Sequence, residues 1–277
     1  MKRSLTYLVA LAPAMAFVPS AAAAQANPPV VAVLAFDNSA FGPGAKDYDG
    51  IGKGIMDIMI TDLASNPKVR VVDRDRIQSI LDEQKLGASG AIDATTAVKV
   101  GKLFGACYSI YGSFLRDQKT GNNIITVHTT SNETGQVQNA QKITSKGDDM
   151  MGLIAEATAK FAASMDVKGC GGASRSASAA PAQQGNTAVP VAKDAAAPAA
   201  NAPKTEQYAM VLPPDQVKKL HEVKLDARTM LLYSRALDAE DHKDKPKAVE
   251  LLRQVVAKAP TFGPANDKLN ALTKSGD

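Results

Sequence analysis

Residues 73–76 of this 277-residue chain read Asp-Arg-Asp-Arg, and Asp82 and Glu83 follow within two helical turns. Neighbouring carboxylates can serve as general acid and general base when one cleft pushes their pKa values apart. Three histidines, His128, His221 and His242, titrate nearest neutrality and are the natural metal ligands. The stretch GPGAKDYDGIGKG, residues 42–54, is glycine-rich and precedes an apolar helical pattern, the setting of a phosphate-binding loop. Cys107 and Cys170 complete the set of groups able to do chemistry.

The elements that must position these groups give each one a plainer reading. Val69, Val71 and Val72 form the end of a strand, and Ile77, Ile80 and Leu81 form the apolar stripe of the next helix. Asp73 or Asp75 then caps that helix, with Asp75 and Gln78 spaced as a capping box, while Asp82, Glu83 and Lys85 face water. No two histidines share a helix face or a short spacing, so a metal site has no support. The glycine-rich stretch lacks the Lys-Ser/Thr pair of a phosphate loop and the dinucleotide spacing. No G-x-S-x-G is present, and Asp49, Asp57 and Asp62 fall on loop or helix-surface positions by period. The expectation is a chain with no catalytic residue, no cofactor and no metal.

The first residues set a compartment. Lys2 and Arg3 precede an apolar run from Leu5 to Val18, followed by PSAAAAQA. This is the pattern of an export signal over residues 1–24, cleaved after Ala24 or Ala26, and the run is too short for a convincing membrane span. No cysteine follows to carry a lipid, so a soluble periplasmic chain is expected, peripheral at most to the outer membrane. Without Lys2 and Arg3, 30 basic residues face 28 acidic ones. That near balance, with few aromatics and no basic block, leaves nucleic acid without a footprint. In an exported chain Cys107 and Cys170 can pair, closing a loop of roughly 60 residues worth about 4 kcal/mol in the chain-entropy account. The alternative is a buried strand thiol and an exposed one.

Three segments follow the signal. Residues 27–168 have mixed periodicity. Residues 169–207 are mostly Ala, Pro, Gly, Ser and Gln with almost no large apolar residue, cannot offset their chain entropy by burial, and are expected to form a disordered linker. Residues 208–277 return to helical periodicity.

Within 27–168, Val30 to Asn38 is a continuous apolar run expected as a strand covered on both faces. Ile51, Ile55, Ile58, Met59 and Leu63 make a helical stripe. Asp93 caps a short helix that Gly105 ends, and three strands follow, the last two turning at 132–135. Met151, Ile154, Ala157 and Phe161 align on a closing helix. The expected class is α+β: a mixed sheet in the order βαβααβββα, with helices on one face, then a linker and a small all-α unit.

The segments VAVLAFDN, GIMDIMITDLAS, VRVVDRDRIQSILDEQKLGASGAID, KVGKLFGACYSIYGSF and ETGQV occur in an order and at spacings that resemble the CsgG/HfaB family of curli assembly and transport proteins, over Val30 to about Asp166. The resemblance implies a non-enzymatic envelope protein. The best-known member is a lipidated ring protein that inserts two β-hairpins per subunit as a pore. Here only RDQKTGNN separates Leu115 from Ile124, and KGDDM separates Ser145 from Met151, so the resemblance covers the periplasmic domain without the pore. The N-terminal domain of TolB and the activators of penicillin-binding proteins share the general plan and give the alternative of a periplasmic binding module.

The last segment resembles one tetratricopeptide repeat at Leu232, Tyr233, Ala236, Ala248, Leu252, Val255, Ala259, Pro260 and Ala265. A single repeat cannot bury both faces, so either the preceding helix, Asp215 to Leu225, helps or a partner does, with Leu232, Tyr233 and Leu252 as the candidate docking surface; a small helical bundle that caps itself is the alternative. The reading is an exported adaptor or accessory in surface-protein export or envelope assembly. Its expected partners are envelope or outer-membrane proteins or a second copy of itself; an exported enzyme with an unrecognised site is the remaining alternative.

Overall fold

The computed structural model describes residues 28–40, 44–84, 92–117, 119–145, 147–164, 208–209 and 211–274. The expected export signal, Lys85, the expected linker and Cys170 lie outside them.

The first strand is split. β1 (Val30–Val33) is fully buried, and β2 (Asp37–Asn38) resumes after a break. The reason is a close backbone crossing: Phe36 N–H donates to Gly52 O at 3.4 Å, and a Cβ on Gly52 would sit 1.6 Å from Phe36 O. Only glycine permits that approach. The chain continues through a 3-10 turn (Ala45–Tyr48) to α1 (Gly52–Ala64), then β3 (Arg70–Val71), α2 (Arg74–Glu83) and α3 (Ala94–Leu103). β4 (Tyr108–Arg116), β5 (Asn123–Ser131), β6 (Val137–Thr144) and α4 (Met150–Ser164) complete the α/β body.

The sheet runs β3-β1-β4-β5-β6, with β2 also paired to β4. β1 lies parallel to both β3 and β4, with Val31 opposite Val71 and Tyr108. β4, β5 and β6 form the expected antiparallel meander, and six residues, 117–122, join β4 to β5. The mixed α+β architecture and the order of its elements are as the sequence implies.

Helices cover both faces rather than one. Val127 and Thr129 line a small hollow with Ala157 and Phe161 of α4, which fixes the α4 face. Thr129 lies opposite Ile110, and the next residue, Ser109, points the other way by strand alternation. Ser109 Oγ donates to Ala97 O of α3 at 2.8 Å, so α3 packs on the opposite face. Its start is pinned there by Ile92 N–H, which donates to Asp37 Oδ2 at 3.0 Å.

The C-terminal segment forms α5 (Pro214–Glu222), α6 (Ala227–Asp241), α7 (Lys245–Lys258) and α8 (Gly263–Lys274). α6 and α7 make a tight hairpin: Lys243 takes the left-handed conformation at φ 61°, and Asp244 accepts Lys247 N–H to start α7. The hairpin does not stand apart from the sheet domain. One buried apolar cluster runs from Val31 and Ile55 through Met230, Tyr233, Leu252 and Phe262. Tyr208 bridges Val72, and Ala209 N–H donates to Val71 O at 2.9 Å, so the chain's own later residues close the β3 edge.

Candidate functional site

The groups singled out by type and spacing do not meet in a cleft. Asp73 is the helix cap: its Oδ1 accepts Asp75 N–H at 2.9 Å. The Asp75–Gln78 capping box does not form, because Gln78 instead donates to Asp82 at 2.8 Å one turn on. Asp93 caps α3 by accepting Thr96 N–H at 2.7 Å, which holds its carboxyl below the ordinary value. His128 stacks on Tyr111, ring centroids 5.3 Å apart, and His242 Nδ1 lies 2.7 Å from Asp238 O at an exposed helix end. Among the described residues no group of three or more His, Cys, Asp and Glu could hold a metal ion. Cys107 is half-buried and bonded to no other described cysteine, and Cys170, with which it could pair, lies outside the described residues.

The residue that local pattern missed is Arg74. It is only 4% exposed, and it reaches from the start of α2 to the end of α6. Its Nη1 donates to Asp241 Oδ1 at 2.8 Å and Oδ2 at 3.0 Å; its Nη2 pairs with Asp75 at 2.5 Å, and its Nε lies 3.5 Å from Asp57. Burial works against the charge, but Asp241, Asp57 and Asp75 outweigh it and raise the guanidinium pKa above its ordinary value. Lys53 on α1 extends the cluster to Asp238 at 2.6 Å and Asp241 at 2.9 Å, and Lys268 on α8 reaches Glu240 at 3.1 Å. The ammonium of Lys53 follows the same balance: burial lowers its pKa, and the two carboxylates raise it by more.

Beside the charges runs a tight polar seam. Tyr233 OH donates to Asp57 Oδ2 at 2.7 Å; burial and that carboxylate push the phenol well above its ordinary value. Ser234 Oγ accepts Gly54 N–H at 2.9 Å and donates to Ile51 O at 2.8 Å. A Cβ on Gly54 would meet Ser234 Oγ at 2.5 Å and Met230 Sδ at 2.8 Å, so glycine lets α6 lie down on α1. Gly52 and Gly54 of the supposed phosphate loop thus serve two close approaches, at Phe36 and at α6.

Two further anchors lie at the other end of the seam. Asp148 Oδ1 accepts from Arg116 Nη1 at 2.7 Å, Asn123 Nδ2 at 3.0 Å and the first amide of α6, Ala227 N–H, at 3.0 Å. Burial pushes this carboxyl up, and the three donors more than reverse it, leaving it below the ordinary value. Asp62, expected on a helix surface, is 6% exposed, with Oδ1 2.9 Å from His221 Nε2 on α5. Its burial raises the carboxyl against the opposing pull of His221.

The expected docking residues are therefore spent inside the molecule. Tyr233 is 0% exposed, edge-on to Phe262 at 5.0 Å, and Leu252 is 1% exposed; Leu232 is half-buried against the core. The surface on which the helical segment docks is the α/β body of its own chain. At the outer edge of the seam, Arg74, Asp75, Gln78, Asp82, Glu240 and Asp241 line an open groove of about 420 Å³ between α2 and the end of α6. Arg74, Asp75, Glu240 and Asp241 in its lining already pair with one another or with Lys53 and Lys268, which suits a structural junction better than a reaction centre.

No curated protein matches the sequence. Among solved structures, the chain is similar to the LpoB C-terminal domain from Salmonella enterica, at 17% identity over 45% of this chain and 87% of that one, with a TM-score of 0.31. It is similar to lipoprotein GNA1162 from Neisseria meningitidis, at 12% identity over 49% and 97%, with a TM-score of 0.33. A PelC dodecamer from Paraburkholderia phytofirmans aligns at 20% identity over 48% and 84%, with a TM-score of 0.30. Residues 15–120 match the family model described as curli production assembly/transport component CsgG. The match starts inside the expected export signal and stops before β5, so β5, β6 and α4 lie beyond it. That match agrees with the resemblance read from the order of the segments in the N-terminal half.

Proposed function

We propose that this chain is a non-enzymatic, exported envelope protein that works as an adaptor or accessory in surface-protein export or envelope assembly. The observation that carries the reading is the family match over residues 15–120, which spans the body from β1 through β4. The site geometry is consistent with it, because the carboxylates that could have done acid–base work cap helices or bind Arg74 and Lys53. No helix among the described residues is long and apolar enough to cross a membrane. In this reading its partners are envelope or outer-membrane proteins.

The test is crosslinking in intact cells, followed by purification of the tagged full-length chain from periplasmic and envelope fractions. Recovery of crosslinked outer-membrane or envelope proteins supports the adaptor. Recovery of the chain alone, or turnover of an envelope substrate by purified protein that a change at Asp73, Asp75 or His128 abolishes, overturns it. A periplasmic binding module like the N-terminal domain of TolB is the second reading; capture of a soluble small ligand rather than a membrane-bound assembly would favour it.

A further inference from the structure

The face formed by α1, the start of α2, the turn before α4 and the β3 edge is a receiving surface built for one particular segment. It offers Lys53 and Arg74 to the acidic end of α6, the Gly54 amide to Ser234, and Asp148 to the first amide of α6. The complementarity is charge-specific. Cations stand at the N-terminal ends of α1 and α2, where a helix dipole disfavours them, and Asp238 and Asp241 stand at the C-terminal end of α6, where it disfavours anions. Each set offsets the unfavourable position of the other. The last described residue of α4 is Ser164 and the next is Tyr208, so 43 residues intervene. At up to roughly 3.3–3.6 Å per residue, that length does not dictate which copy's body the segment occupies.

We propose that this face also accepts residues 208–274 of a second copy of this chain, giving a reciprocally exchanged dimer in which each body carries its partner's α5–α8. Exchange of an identical element keeps every seam contact and adds no new one, so it needs only concentration, not a new surface. The proposal does not depend on the adaptor reading.

Two full-length variants test it, Arg74→Glu and Asp241→Lys. Alone, each places like charges across its own seam. Each is expected to be monomeric, with α6–α8 cut by protease at least tenfold faster than in the native chain. Mixed in equal amounts, the two restore an opposite-charge pair at both exchanged seams. A dimer by light scattering, with protease resistance regained, is the expected result. Monomers that stay cleavable after mixing overturn the proposal, and so does a segment that remains protected in each variant alone. Should a variant fail to melt cooperatively, two differently tagged native populations decide instead, mixed at millimolar concentration and then diluted. Capture of one tag with the other supports exchange, and its absence overturns it.

Discussion

The sheet interior and the seam between α1 and α6 both exclude water, but they are held together differently. Inside the sheet, Val31, Ile110, Phe114 and Ile125 are apolar and fully buried, and any well-packed apolar set of similar volume would do. At the seam, Arg74, Tyr233 and Ser234 are buried polar groups whose partners are Asp241, Asp57 and Gly54. Removing one member leaves the other buried and unpaired, so the seam is specific where the sheet is tolerant. A core of the first kind makes a fold. A junction of the second kind specifies which two elements meet.

The largest single effect should come from the tolerant region, because a cavity there undermines both. Phe114→Ala should cost about 3–5 kcal/mol in urea unfolding, with β5 and α6 losing hydrogen-exchange protection together. Loss confined to β5, with α6 keeping its native protection, would show that α6 does not depend on the sheet core. Ser234→Ala strands the buried Gly54 amide and should cost about 1–3 kcal/mol, read as faster exchange in α6 with β4 and β5 unchanged. Equal loss across the sheet would contradict that separation. Asp73→Ala removes only a cap and should cost about 1 kcal/mol, while Asp73→Asn, which keeps the acceptor, should recover most of it. A failed rescue by asparagine would mean that the charge of Asp73, not its capping bond, matters.

The smallest predicted effects concern pH, and they divide the seam itself. Asp148 has a folded pKa below its unfolded value near 3.9. Its contribution is therefore complete above that value and is lost as the pH falls through the folded one. Asp62 has a folded pKa above its unfolded value, so its contribution is complete below about 3.9 and is lost as the pH rises through the folded one. Unfolding midpoints measured from pH 3 to pH 7 should show Asp148→Asn losing stability relative to the native chain as the pH rises. Asp62→Asn should gain. Parallel slopes for the two variants would contradict the assigned environments.

How much of this was legible in the sequence follows from the same contrast. The periodic signals were local and came through: Ile51, Ile55, Ile58, Met59 and Leu63 all lie in the core, and Asp73 and Asp93 cap the helices they precede. Covering helices on one face alone was the wrong inference, because the long connection after β3 returns α3 to the other side, near Ser109. The seam was hidden because the pairs Arg74–Asp241, Tyr233–Asp57, Ser234–Gly54 and Lys53–Asp241 span 167 to 188 positions, and neither half looks buried by pattern. Asp62 by period belonged to a surface, and Tyr233 and Leu252 looked like a docking face, because the helix period does not say that a sheet domain will cover that side. One signal was available. An arginine at the first position of α2 and a run of acids at the last turn of α6 each oppose their helix dipole, and two such misplacements in one chain point at each other.

The account stands on Arg74 holding the C-terminal helices to the α/β body. Hydrogen exchange of the native chain and of Arg74→Ala, followed peptide by peptide, tests this most directly. The predicted result is lost protection in α6 and at Ala209, where the segment closes the β3 edge, with the amides of β4 and β5 unchanged. Protection in α6 equal to that of the native chain would contradict it.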